Sequence, residues 1–176
     1  LVRLMDVLGL ETLTLADVGA RWGIHAKWKG LGNRLRVIGF EPDAEECQRL
    51  NERNEEKAVF YPVALSDRSG KETLRIAREP GRSSLYPPAS SLLRRYPDHE
   101  GYEILRTVEV PVDTLDDCLR KNNASSVDFV KMDVQGSEKK IIEGGSRTFS
   151  DRVFGLETEV EVSPLYEGQP LFADLD

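Results

Sequence analysis

Short apolar runs of strand length recur along this chain, most of them stopped by glycine or proline and followed by a segment with helical spacing. That rhythm constrains the fold more than any other feature. Residues 13–18, 35–40, 58–65, 127–134 and 153–162 read as strands, and the first two and the fourth are almost continuously apolar, as strands buried on both faces are. Helices are expected between them: 24–31 ending near Gly32, one capped by Asp43 and carrying Ala44, Cys47 and Leu50, one capped by Asp113 or Thr114 and running through Leu119, and one capped by Ser137 that carries Ile141 and Ile142 and stops at Gly144-Gly145. Strand alternating with helix at this spacing predicts an α/β fold, a doubly wound, mostly parallel Rossmann-like sheet with helices on both faces. Val2 to Leu10 reads as a packing helix, and 72–76 and 108–112 as short extended pieces.

The length of 176 residues suits one domain spanning 1–176. Twenty-four Lys and Arg against 31 Asp and Glu give a net charge of −7, interspersed along the chain, so no basic surface for nucleic acid is expected. No apolar run approaches the roughly 18 residues of a membrane span and no basic, apolar leader opens the sequence, which predicts a soluble, cytoplasmic protein. Cys47 and Cys118 lie far apart, outside any CxxC pair, with only His25 and His99 as soft companions; free thiols and no metal site are expected. The composition leaves the oligomeric state open. Residues 78–106 are rich in Pro, Ser, Arg and Tyr and too long for a plain connection, which makes them a candidate lid or substrate loop.

Two turns carry the chemistry. The first strand ends in Asp17-Val18-Gly19-Ala20-Arg21-Trp22-Gly23, and the second in Gly39-Phe40-Glu41-Pro42. In an open α/β sheet the ligand sits beyond the carboxyl ends of the strands, where the strand order reverses. Gly19 and Gly23 allow close backbone approach there, and a carboxylate at Glu41 suits the two hydroxyls of a ribose. The spacing is D-x-G-x-x-x-G, not the G-x-G-x-x-G that brings a helix N-terminus up to a pyrophosphate, and an Asp opening the turn opposes a phosphate but suits a cationic amino-acid ligand. S-adenosyl-L-methionine combines adenosine, sulfonium and ammonium in one molecule. A nicotinamide-dependent oxidoreductase is the rival enzyme reading, disfavoured by the spacing.

The segment Asp128-Phe129-Val130-Lys131-Met132-Asp133-Val134-Gln135-Gly136-Ser137-Glu138 resembles the D-x-x-K-x-D-x-E-G-x-E stretch of the FkbM-type methyltransferases, members of the class I S-adenosylmethionine-dependent fold. Asp17 to Gly23, Gly39 to Pro42, Ala64-Leu65-Ser66-Asp67, Ser83-Ser84-Leu85 and Val112 to Asp116 match in the family's order and cover most of the chain. The resemblance implies that Asp17, Gly19 and Glu41, with Ala20, Gly23 and Pro42 beside them, hold the cofactor, that Ala64, Leu65 and Ser66 border the adenine, and that Lys131 and Asp133 face the methyl-transfer region. Two departures stand out. Gln135 occupies the position of the family's usual Glu, and the class I sheet normally ends in an antiparallel pair after the fifth strand, so the expectation is either a sheet without those C-terminal strands or an edge covered by a partner.

Methyl transfer from a sulfonium requires in-line alignment of the acceptor oxygen and an exit for its proton. Asp133 is the first candidate to orient or deprotonate the acceptor, and as a cofactor-binding residue its carboxylate is also expected to stabilise the nearby sulfonium. Lys131, two residues earlier on the same strand face, either steadies the developing charge or forms an ion pair. Glu157, Glu159 and Glu161 alternate onto one strand face, read as exposed and without metal. The expected function is O-methylation of a small-molecule or glycan acceptor: a saccharide, a lipid-linked glycan or a polyketide-like metabolite. A non-catalytic adenosylmethionine-binding or assembly module is the reading from outside enzymology, motivated by Gln135.

Overall fold

A computed structural model describes residues 2–53, 57–124, 126–151 and 153–175. Five strands form the central sheet in the order β3-β2-β1-β7-β8: β1 Leu13–Val18, β2 Leu35–Phe40, β3 Ala58–Tyr61, β7 Phe129–Met132 and β8 Gly155–Thr158. Every neighbouring pair is parallel. The chain steps outward from β1 to β3 and then returns to β1's other side at β7, so the order reverses between β1 and β7.

Both faces of the sheet are covered. Leu13, Leu15, Leu35, Val37 and Phe60 point to one side, where they meet Met5 of α1 (Val2–Val7), Trp28 of α2 (Ala26–Lys29), and Cys47 and Leu50 of α3 (Ala44–Glu52). Ala16, Val18, Phe40, Val130 and Met132 point to the other, against Leu115 and Leu119 of α5 (Leu115–Lys121) and Ile141 of α6 (Glu138–Gly144). The continuous apolar runs are what a sheet sandwiched in this way requires. Asp43 caps α3, its carboxylate accepting from the Glu45 and Glu46 amides, and Thr114 caps α5 by accepting from Asp117 N–H at 3.1 Å.

Several expected elements are cut short or divided. The strand expected over 58–65 breaks at Pro62-Val63, and its second part, β4 (Ala64–Leu65), joins a separate three-stranded sheet with β5 (Gly70–Ala77) and β6 (Ile104–Asp113), where β5 and β6 run antiparallel. Leu74, Ile76, Val110 and Val112 form its apolar face. The run at 153–162 is strand only over Gly155–Thr158, so Glu159 and Glu161 lie beyond the sheet and the three glutamates do not share a face; Glu157 pairs with Lys27, while Glu159 turns toward Gln135. Ser137 stands at the N-terminus of α6 but makes no side-chain capping bond; the Glu138 carboxylate instead ties down the preceding turn, accepting from the Val134 (3.3 Å) and Gly136 (3.0 Å) amides. The connection over 78–103 contains single 3-10 turns at Pro80–Arg82 and His99–Tyr102 and the short α4 (Ser90–Leu93). It is docked on the body by Ser84, whose hydroxyl donates to the Gln135 carbonyl at 2.7 Å, and by Tyr166, whose hydroxyl stands 2.9 Å from the Arg82 carbonyl.

Among the described residues, no helix is long and apolar enough to cross a membrane.

Candidate active-site cleft

The carboxyl ends of β1, β2 and β7 open into a cleft, where an open α/β sheet places its ligand. Its floor comes from the first turn. Gly19, Trp22 and Gly23 all have positive φ (74°, 76° and 76°), which curls the chain tightly after β1. The Phe40 carbonyl accepts the Gly19 and Ala20 amides at 3.0 and 3.1 Å, tying the turn to the end of β2. A Cβ at residue 19 would lie 2.0 Å from the Asp133 carbonyl oxygen, so only glycine lets the turn approach the end of β7.

Glu41 reaches the cleft from the end of β2 and is 3% exposed. Its Oε1 accepts from Asp43 N–H at 2.9 Å, and Arg21 Nη2 stands 3.9 Å away while bonding Asp43 at 2.6 Å. Burial raises Glu41 above the ordinary carboxylate range, against the opposing pull of the Asp43 amide and Arg21. Burial works on Asp43 too, but the Arg21 hydrogen bond and charge, with two helix amides, hold it below the usual range. Pro42, Val63, Ala64 and Leu65 add an apolar wall, which Leu74 and Leu85 extend, and Pro80, Gly81, Ser83 and Ser84 complete the lining.

Of the residues singled out in the sequence, Gly19, Glu41, Pro42, Ala64, Leu65 and Asp133 line this cleft. Asp17, Ala20, Gly23, Ser66 and Lys131 lie behind it. Asp17 is buried, with Oδ1 3.0 Å from Lys131 Nζ, and the same ammonium donates to the Gly19 carbonyl at 3.1 Å. Lys131 therefore faces Asp17 and the turn, not Asp133. Burial raises Asp17, and the Lys131 charge counters it. Ser66 donates its amide to Asp113 and its hydroxyl to Asp67. Gly23 packs on Leu50 and Arg53.

Asp133 is exposed at the mouth and accepts from Gln135 Nε2 at 2.9 Å; the same Nε2 donates to Glu159 at 2.7 Å, and the Tyr166 hydroxyl lies 2.9 Å from Gln135 Oε1. Arg21, Val134, Gln135 and Ser137 are cleft residues that sequence reasoning did not assign to the site. Gln135 was visible only as a departure from a motif; Arg21, inside the glycine turn, carried no signal beyond its place there.

The residues present suit an adenosyl amino-acid ligand. Glu41 offers a buried acceptor for a diol, the adjoining wall is apolar, and the Ser137 hydroxyl is 2% exposed with no hydrogen-bond partner among the described residues, although it borders the cleft. Among the described residues, no group of three or more His, Cys, Asp or Glu could hold a metal ion.

A parallel sheet with reversed order at β1/β7, covered by helices on both faces, defines a Rossmann-like α/β protein. The Methyltransferase FkbM domain family matches residues 17–176, and the chain belongs to that family of methyltransferases. It is 30% identical over 181 aligned residues to the 2-O-methyltransferase NoeI of Sinorhizobium fredii (strain NBRC 101917 / NGR234), an alignment covering 99% of this chain and 74% of that protein. No solved structure matches the chain.

Proposed function

We propose that this methyltransferase takes S-adenosyl-L-methionine as its methyl donor and transfers the methyl group to a hydroxyl oxygen of a saccharide, lipid-linked glycan or polyketide-like acceptor. The observation that carries the reading is the buried Glu41 carboxylate facing the cleft beside the Gly19 turn. In this reading Glu41 accepts from the ribose hydroxyls, Pro42, Val63, Ala64 and Leu65 border the adenine, Ser137 bonds the amino-acid portion, and Asp133 orients the acceptor hydroxyl. Lys131 and Asp17 act from behind: their ion pair holds the turn that the ligand rests on. Similarity to a protein named as a 2-O-methyltransferase supports oxygen as the receiving atom, and a sugar hydroxyl is the first acceptor class to try. Cys47 and Cys118 are buried free thiols, which suits the reducing cytoplasm expected from the sequence.

Calorimetric titration with S-adenosylmethionine, S-adenosylhomocysteine and NAD tests the donor assignment. Binding of the two adenosyl sulfur compounds and not of NAD is the expected result; NAD binding alone overturns it. Mass-spectrometric detection of methylated product from a panel of methyl glycosides bearing a free 2-hydroxyl tests the acceptor class.

A further inference from the structure

We propose that Glu159 accepts the proton of the incoming hydroxyl, acting as one unit with Asp133 through the side-chain amide of Gln135. The inference rests on the methyl-transfer reading above. Gln135 stands between two hollows. One is the donor cleft, which Asp133 lines; the other, much smaller, is lined by Gln135, Gly136, Glu138, Glu159, Glu161 and Gln169. The acceptor must approach the methyl group from the side away from sulfur, and Gln135, which lines both hollows, joins Asp133 in the cleft to Glu159 beyond it.

The partners of Gln135 fix which way its amide points. Oε1 faces the Tyr166 hydroxyl, and Nε2 faces two carboxylates, at 2.9 Å to Asp133 and 2.7 Å to Glu159. Its backbone is held as well, at a φ of 59° and by the 2.7 Å bond from Ser84. A glutamate in its place would set three carboxylates together with no donor between them. The amide instead lets two carboxylates sit side by side, an arrangement in which one takes up a proton while the other stays charged.

Desolvation first, and then the charge and hydrogen bond of Asp133, push Glu159 up to about 7, with Glu161 and Glu138 adding to the effect. Tyr102 and Tyr166 face it from the segments packed above, with Arg82 beyond them, and both phenols are raised by burial and so stay uncharged at neutral pH. A carboxylate poised near neutrality is suited to general-base work. In the step itself the hydroxyl oxygen bonds to the methyl carbon as the carbon–sulfur bond breaks. That electron pair remains on sulfur, and the hydroxyl proton passes to Glu159. Sulfonium and carboxylate thus become neutral thioether and carboxylic acid, and Glu159, which is exposed, returns the proton to solvent. Gln135 is a positioning residue in this scheme.

The test begins without acceptor. Carbon-13 carboxyl titration of the free protein should show Glu159 with a midpoint near 7, lower in Asp133→Asn because a negative charge is gone, and higher in Gln135→Met because the amide favours the charged forms. With S-adenosylhomocysteine as the probe ligand, Glu159→Gln should bind within about twofold of wild type while transfer to methyl glycosides falls by about 10²–10³ and loses its pH-dependent rise around 7. A wild-type Glu159 midpoint below about 5.5 overturns the inference, as does a Glu159→Gln enzyme within threefold of wild-type transfer. A wild type that shows the raised midpoint but binds no adenosyl ligand sinks the methyl-transfer reading itself, and the proton-acceptor role with it.

Discussion

Lys131 Nζ lies 3.0 Å from Asp17 Oδ1, a cross-strand ion pair between β7 and β1 placed directly under the Gly19 turn. Asp17 is 2% exposed, so the lysine is what makes a charged carboxylate tolerable there. Replacing Lys131 with Met should destabilise the protein by about 3–5 kcal/mol at neutral pH, because an unpaired buried charge remains. The loss should shrink as the pH falls and Asp17 takes up a proton, and Asp17→Asn should recover part of it in the double variant. Urea denaturation of the four-member cycle checks this; a Lys131→Met protein as stable as wild type would show that the pair carries no weight.

Glu41 is expected to act on binding more than on folding. Charge-assisted hydrogen bonds are worth about 1.5–3 kcal/mol, so Glu41→Ala should weaken S-adenosylhomocysteine by roughly 10- to 150-fold. The same variant relieves the cost of a buried carboxylate, and its thermal midpoint should not fall in proportion. Calorimetry alongside circular dichroism separates the two effects.

Stability should depend on pH through Glu159. Its folded-state pKa is raised to about 7, so the native protein holds this proton more tightly than the unfolded chain does. The contribution is fully present below the ordinary glutamate value and is lost as pH rises through about 7. Asp17, Glu41 and Glu138 are raised by burial and slope the same way, so the diagnostic quantity is the difference between wild type and Glu159→Gln. That difference should change between about pH 4.5 and pH 7 and be flat above; a difference flat across the whole interval counts against the shift.

Two glycines with similar backbone angles should respond differently to alanine. Gly19 (φ 74°) has the Asp133 carbonyl in the path of a Cβ at 2.0 Å, whereas Gly9 (φ 66°) has nothing within 4 Å. Gly19→Ala should cost about 2–4 kcal/mol and Gly9→Ala only about 1 kcal/mol, the strain of the backbone angle alone. Thermal melts of the two variants give the comparison.

Leu13–Val18 and Leu35–Phe40 were legible in the sequence to the residue, because strands buried on both faces leave uninterrupted apolar runs and glycine or proline closes each. The turn residues Gly19 and Glu41 followed from those two boundaries. Less was legible wherever partners come from afar. Pro62-Val63 divides one apolar run between two sheets, a choice set by the packing of Leu74, Val110 and Val112 and not by local periodicity. The Gln135–Glu159 bond spans 24 positions and depends on β7 and β8 lying side by side. Lys131 was placed on the correct strand, but the partner it meets was decided by the register of β1 against β7.

The two tryptophans differ sharply in setting: Trp22 stands on the cleft lip, 64% exposed, while Trp28 is 4% exposed and packed edge-on against Phe129. The chain thus carries its own optical reporter. A molecule seated in the cleft strips water from one indole and leaves the other in its apolar surroundings, so the emission of Trp22 should move to the blue over a steady background. A Trp28→Phe protein would isolate that signal and allow entry into the cleft to be followed in real time, with neither a label nor turnover.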